Sequence, residues 1–208
     1  MMLGAGCATS WHEPANLDLS KQQIRRYVAS QAYDRDLETV AERASQWIQQ
    51  RVSARKEGER LAVVFDVDET LLRNAEQMEA RDFAYEETEW ERWVMSAKAK
   101  PLEAVCGVFR MARRLGVEIV VITGRPEHQR AATIENLRRV GCGDYAILIC
   151  EPEKAAPATM AAFKTAERRR LVHDGWVIIA NVGDQRSDLE GGYAERVFKL
   201  PNPFYLTP

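Results

Sequence analysis

Leu61-Ala62-Val63-Val64-Phe65-Asp66-Val67-Asp68-Glu69-Thr70-Leu71-Leu72 is the stretch on which the reading of this chain turns. Five residues suited to a buried strand, 61–65, run directly into two carboxylates, Asp66 and Asp68. Open α/β sheets place their ligands where parallel strands end and the chain leaves the sheet. An apolar run that delivers two acids to that edge is unfavourable unless the acids have a cation and a task. Strand alternation turns the side chains of Asp66 and Asp68 the same way and Val67 the other. One carboxylate can then hold a metal and attack while its neighbour handles a proton, which suits phosphoryl transfer through an aspartyl-phosphate.

Working outward, a charged connection at 51–60 leads into this strand, and strands and helices alternate beyond it. Strands are expected at 61–65, 117–122, 145–150, 177–182 and 196–199, and helices at 102–115, 126–140 and 159–174. Pro126 would occupy the first turn of the second of these helices. The pattern predicts right-handed βαβ crossovers and an α/β fold: a Rossmann-like parallel sheet flanked by helices. Residues 17–56 lack Gly and Pro and carry Ile24, Tyr27, Val28, Leu37, Val40, Ala44, Trp47 and Ile48 at helical spacing. One or two amphipathic helices packed on the core are expected there. The segment 74–100, rich in Glu and holding Phe83, Tyr85, Trp90 and Trp93, is long for one βα loop. It reads as a small helical cap inserted after the first strand.

The 208 residues, 46% hydrophobic and 29% charged, suffice for one sizeable domain at 17–208 with an appended subdomain. A formal net charge of −2 gives no general attraction to a nucleic acid polymer or an anionic membrane. No apolar run approaches the roughly 20 residues needed to span a bilayer. Residues 1–16 read as a signal remnant or a disordered start. Met1 to Cys7 resembles the tail of a bacterial lipoprotein signal, departing from it at Gly4, where leucine is usual. That resemblance implies export to the periplasm or outer membrane with a lipid on Cys7; a cytoplasmic protein is the alternative if Met1 is the true start. Cys106, Cys142 and Cys150 show no metal-ligand spacing; Cys142 and Cys150 could pair in an oxidising compartment or be small buried hydrophobes. The scattered His12, His128 and His173 argue against a histidine metal site.

Four places carry chemistry, each at or near an expected strand end or helix. They are Asp66-Val67-Asp68-Glu69-Thr70, Thr123-Gly124-Arg125-Pro126, Lys164 within Phe163-Lys164-Thr165, and Gly183-Asp184-Gln185-Arg186-Ser187-Asp188. Together with Trp90-x-x-Trp93 and the tail Lys199-Leu200-Pro201-Asn202-Pro203-x-Tyr205, their order resembles the haloacid-dehalogenase-like (HAD) superfamily of phosphohydrolases. The finer match is to its acid phosphatase branch, subfamily IIIB, with the class C bacterial acid phosphatases and the plant vegetative storage proteins. A lone pair of acids would say little; the five ordered blocks that remain with Lys164 set aside, across residues 61–205, say much more.

The resemblance implies Asp66 as nucleophile and Asp68 as the acid, then the base, of the two half-reactions. It implies Mg²⁺ held by the Asp66 carboxylate, the Asp68 main-chain carbonyl and the Asp184 carboxylate, with Asp188 orienting Lys164 or a water. Thr123 would donate to a phosphoryl oxygen, and Lys164 would offset the charge of the phosphate. Arg125 would hold phosphate or brace its loop, and Trp90 with Tyr205 would grip a flat leaving group. Each residue has a plainer role. Acids after strands cap helices and form turns, Trp90 and Trp93 at i,i+3 suit a small cap core, and Lys154 rivals Lys164. Lys164 is preferred because Lys164-x-x-x-Arg168 matches the family's helix.

The reading is therefore a Mg²⁺-dependent phosphomonoesterase acting on small phosphate esters, with 5′-nucleotides or aryl phosphates first in line. A homo-oligomer is left open. The alternative is a weakly active or non-catalytic surface or storage protein on the same fold, against which the retained Asp66 speaks. A dehalogenase would not need Asp68, and the cap and tail disfavour a phosphomutase.

Overall fold

Apolar at every position from Leu61 to Phe65, β1 (Arg60–Phe65) has no face suited to water and takes the centre of a five-stranded sheet. The computed structural model describes residues 14–153 and 159–207; Cys7 and Lys154 lie outside the described residues. Before β1 come α1 (Leu17–Ala29) and α2 (Ala32–Ser53). After it come β2 (Leu72–Arg73), α3 (Ala75–Ala80), α4 (Glu87–Ser96), β3 (Lys100–Pro101), α5 (Glu103–Arg114), β4 (Glu118–Pro126) and α6 (Arg130–Arg139). The chain closes with β5 (Ile147–Glu151), α7 (Met160–His173), β6 (Trp176–Gly183), α8 (Arg186–Leu189) and β7 (Val197–Lys199). The sheet runs β5-β4-β1-β6-β7 with every neighbouring pair parallel.

Alternation along β1 builds two cores. Leu61, Val63 and Phe65 face α2 and α5, meeting Ile48 and Phe109; Ala62 and Val64 face α7, meeting Phe163 and Leu171. The order of strands creates a switch point. From β1 the chain winds outward through β4 to β5, then returns under α7 to place β6 on the other flank of β1. The ends of β1 and β6 therefore open a crevice, the place where such sheets take ligands. The β1–β6 register shifts between Ala62 and Val63, which pair with Ile178 and Ala180 and so skip Ile179. The Ile179 carbonyl accepts instead from the Trp47 indole of α2 at 2.7 Å, and the bulge stays satisfied.

The N-terminal region forms two helices. The break falls at Gln31, whose φ of 60° is left-handed, and α2 then buries Tyr33, Leu37, Ala41, Ala44 and Ile48 at helical spacing. α1 buries no residue; Lys21 and Arg25 tie it to Asp82 in the 74–100 segment. That segment consists of α3 and α4, and its two ends meet as the antiparallel pair β2–β3.

Pro126 departs from expectation. It ends the extended run of β4, opposite Glu151, and a 3₁₀ turn at Glu127–Gln129 precedes α6. Lacking an N–H, proline fits a strand end beyond a bulge as readily as a first helical turn. Cys142 and Cys150 are not paired with each other; both are buried and free, as is Cys106.

Because α2 buries five side chains and α1, which packs Tyr27 and Val28 on the core only in part, buries none, truncations on the two helices should differ. Ile48→Ala is expected to lower unfolding stability by about 2–5 kcal/mol, and Leu19→Ala, exposed on α1, by less than about 0.5 kcal/mol. Urea denaturation of the two variants checks this.

Candidate active site

Beyond Phe65 the β1–β6 ladder continues for one residue, since the Asp66 amide donates to the Val182 carbonyl at 3.1 Å. This fixes Asp66 at the mouth of the crevice while leaving it 7% exposed. Lys164 reaches it from α7, donating from Nζ to Asp66 Oδ1 at 2.5 Å and to Asp188 Oδ1 at 2.6 Å. Asp188 is held by the turn that starts α8, where its Oδ2 accepts from the Gln185 amide at 2.8 Å. The turn is tight against the end of β6. A Cβ on Gly183 would come within 2.5 Å of the Asp188 side chain, so glycine is required there.

Asp184 completes the group. Its Oδ1 accepts from the Thr70 hydroxyl at 3.2 Å, and its Oδ2 from Gln185 Nε2 at 2.6 Å and Asn202 Nδ2 at 2.7 Å. Carboxylate oxygens of Asp66, Asp184 and Asp188 lie within 4.8 Å of one another, all three residues buried. One ammonium faces three carboxylates, which leaves two negative charges unanswered in a place nearly closed to water. The proton affinities register the deficit. Burial drives the Asp66 carboxyl well above its usual range against the pull of Lys164, and the charges of Asp188, Asp184 and Asp68 add to the rise. Burial, then Asp188, push Asp184 up to about 6. Burial alone would depress Lys164, but Asp66 and Asp188 outweigh it and hold the ammonium charged. This donor set of oxygens, short of positive charge, fits a hard divalent cation.

Asp68 stands apart from that cluster, gripped by Arg125. The guanidinium donates from Nη2 to Asp68 Oδ1 at 2.6 Å and from Nε to Oδ2 at 2.9 Å. Asn74 Nδ2 donates to the same Oδ1 at 2.9 Å. Thr123 is fully buried at the end of the apolar part of β4, and its Oγ1 accepts from the Arg125 amide at 3.1 Å, which leaves the hydroxyl proton for another acceptor. Glu69, with a left-handed φ of 51°, turns inward and accepts from the Asn74 amide at 2.6 Å and Nδ2 at 2.9 Å. Burial pushes the Glu69 carboxyl up to about 8. The Tyr205 hydroxyl points to Glu69 Oε2 at 3.5 Å, and burial followed by the Glu69 charge raises its phenol well above the usual range. Trp90, half-buried on α4, makes no ring contact with Tyr205 among the described residues.

The structure thus brings Asp66, Lys164, Asp184 and Asp188 to one point, with Asp68, Arg125 and Thr123 near by in the chain of contacts. Sequence reasoning assigned no role to Asn74, Asn202, Thr70 or Gln185. Three of them sat inside quoted blocks, and Asn202 in the Pro-Asn-Pro tail was the strongest unused signal. Nothing in the sequence marked Asn74, whose side chain joins Asp68 and Glu69 of the turn after β1 to Trp93 of α4.

With the geometry in place, comparison with known proteins is direct. The model of the HAD superfamily, subfamily IIIB (Acid phosphatase), matches residues 8–208. Acid phosphatase 1 of Solanum lycopersicum is 31% identical over 186 residues, spanning 88% of this chain and 72% of that protein. Vegetative storage protein 1 of Arabidopsis thaliana is 31% identical over 215 residues, spanning 96% and 78%. The class C acid phosphatase of Bacillus anthracis superposes with a TM-score of 0.72 at 22% identity, covering 90% of this chain and 86% of that one, a likeness of fold.

Lys164→Met removes the only cation that ion-pair geometry gives to Asp66 and Asp188 among the described residues. Loss of about 3–5 kcal/mol of stability is expected in metal-free buffer, since stranding buried charges has that effect. Equilibrium urea unfolding measures it, and wild-type stability would contradict the ion-pair account.

Proposed function

The chain belongs to subfamily IIIB of the HAD superfamily, the acid phosphatases, and on that footing we propose that it hydrolyses small phosphate monoesters through a phosphoryl group carried on Asp66. The observation that carries this reading is the buried convergence of Asp66, Asp184 and Asp188 around Lys164 at the sheet's switch point. Such a group has too little positive charge by itself. We place Mg²⁺ there, held by the carboxylates of Asp66 and Asp184 and the Asp68 carbonyl. When bound it would supply two positive charges and polarise a phosphoryl oxygen.

The chain's own residues divide the rest of the work. Lys164 occupies Asp66 Oδ1, so Oδ2, which accepts no hydrogen bond from a described residue, is the oxygen left to attack phosphorus. As that bond forms, the ester P–O bond breaks, and Asp68 delivers a proton to the departing oxygen. Water then attacks the phosphorus, Asp68 takes its proton, and the bond to Asp66 breaks to release inorganic phosphate. Lys164 and the Thr123 hydroxyl stabilise the negative charge on the phosphoryl oxygens. Arg125 keeps the Asp68 carboxylate in one plane. A solved structure of the Bacillus anthracis phosphatase carries tungstate, a tetrahedral oxyanion of the kind this site is proposed to hold.

Trp90 and Tyr205 are proposed to grip a flat leaving group, which places 5′-nucleotides and aryl phosphates ahead of sugar phosphates. Export with a lipid on Cys7 is the proposed localisation, and no helix among the described residues is long and apolar enough to cross a membrane. Kinship with the vegetative storage proteins keeps a storage role in view, but Asp66, Asp68, Lys164 and Asp184 are all present here. A protein kept only as a reserve has no need of them together.

Phosphate release from an aryl phosphate is expected to require Mg²⁺, to stop with chelator, and to fall to background in Asp66→Asn with the circular dichroism spectrum unchanged. Full turnover by that variant would refute the mechanism, and background rates from the wild type would favour storage. Mg²⁺ at a hundredfold excess over its Kd should also raise the melting temperature by about 5–10 °C. Asp184→Asn should lose most of that rise.

A further inference from the structure

Trp93 lies on α4, in the segment between β2 and β3, and it does more than fill space. Its indole Nε1 donates to Asn74 Oδ1 at 2.7 Å. Asn74 is fully buried and spends its donors on the two acids beside it: Nδ2 on Asp68 Oδ1 and Glu69 Oε2, both at 2.9 Å, and the main-chain amide on Glu69 Oε1 at 2.6 Å. We propose that Trp93, acting through Asn74, is a positioning residue that sets which oxygen of Asp68 is presented to the leaving group.

A carboxamide has two ends of nearly equal shape, one accepting and one donating, and in isolation it can turn over. An indole N–H can only donate, so Trp93 fixes the accepting end of Asn74 toward α4. The donating end must then face Asp68 and Glu69. Turned over, the amide would set its N–H₂ against the indole N–H and its oxygen against Asp68 Oδ1, which already accepts from Arg125. No water can relieve that clash at a side chain with no exposed surface.

The consequence falls on Asp68. Arg125 gives each of its oxygens one hydrogen bond, so the guanidinium alone does not tell them apart. Asn74 adds a second donor to Oδ1 only. Oδ1 is thereby filled by Arg125 and Asn74, and Oδ2 keeps the lone pair that can carry and deliver a proton. A relay of two hydrogen bonds therefore runs from α4 to the atom at which proton transfer occurs, and α4 must be seated for that atom to be aimed.

This inference rests on the reading of Asp68 as the acid in the first half-reaction, and leaving-group basicity separates the two. A general acid matters most when the departing oxygen is basic, as in an alkyl phosphate, and least for a nitrophenolate. The parameter is kcat/KM, which reports the step that expels the alcohol. Trp93→Phe keeps the ring and removes the N–H. It is expected to lower kcat/KM for alkyl phosphates roughly 5- to 10-fold and for 4-nitrophenyl phosphate less than about 2-fold. Asn74→Ala should give the same selective loss, and adding Trp93→Phe to it should cause no further loss; if Asn74→Ala does not fold, Trp93→Phe decides alone.

An equal loss on both substrate classes, or none, would overturn the relay. Asp68→Asn serves as the control for the underlying reading and should lose on the order of 100-fold on alkyl phosphates, with a smaller loss on the nitrophenyl ester. If Asp68→Asn discriminates and Trp93→Phe does not, the relay alone fails; if neither discriminates, the role given to Asp68 fails with it.

Discussion

Lys164 sits between Asp66 and Asp188, all three side chains almost wholly buried, and the rest of the site is arranged around that contact. The three residues come from α7, the end of β1 and α8, so the ion pairs tie three elements together at the sheet's switch point. A single buried ion pair is weak support for stability, because desolvation takes back most of what the charges gain. Here the account does not even balance. Adding Asp184 leaves two charges without partners, and the Asp66 and Asp184 carboxyls are displaced upward, by burial first and by the neighbouring carboxylates after it. An arrangement strained in this way makes sense where a cation and a phosphate dianion are to be bound together.

Around this centre the fold supplies rigid supports. The Trp47 indole fills the bulge at Ile179, Gly183 lets the Asp188 side chain close onto β6, and Asn202 folds the C-terminal tail onto Asp184. Arg168 extends the same helix that carries Lys164, and its fully buried guanidinium donates to the main-chain carbonyls of Asp188 and Gly192. The Lys164-x-x-x-Arg168 spacing thus has a physical meaning: one side chain meets the acids and the other, one turn along, pins the loop that presents Asp188.

Much of this was legible from residue order alone. Buried on both faces, β1 and β4 appear as apolar runs at 61–65 and 119–122 and β6 as one interrupted only at Asn181, and the acids directly after β1 and β6 mark the crevice. What escaped was whatever depends on contacts between distant segments. Pro126 satisfies the rule for a first helical turn and the rule for a strand end equally well, and only pairing with Glu151 decides. Asn74 looks like a loop residue until its amide is seen between Trp93, Asp68 and Glu69. Trp93, read as an anchor for a small cap core, does pack against the main core, but its indole nitrogen has a separate assignment.

The claim on which the others lean is that the carboxylates of Asp66 and Asp184 share one divalent cation. Anomalous diffraction from crystals soaked in Mn²⁺ tests it most directly. The account predicts one strong peak within bonding distance of both carboxylates, at the ends of β1 and β6. A peak elsewhere, or none while the protein retains phosphatase activity, would contradict it.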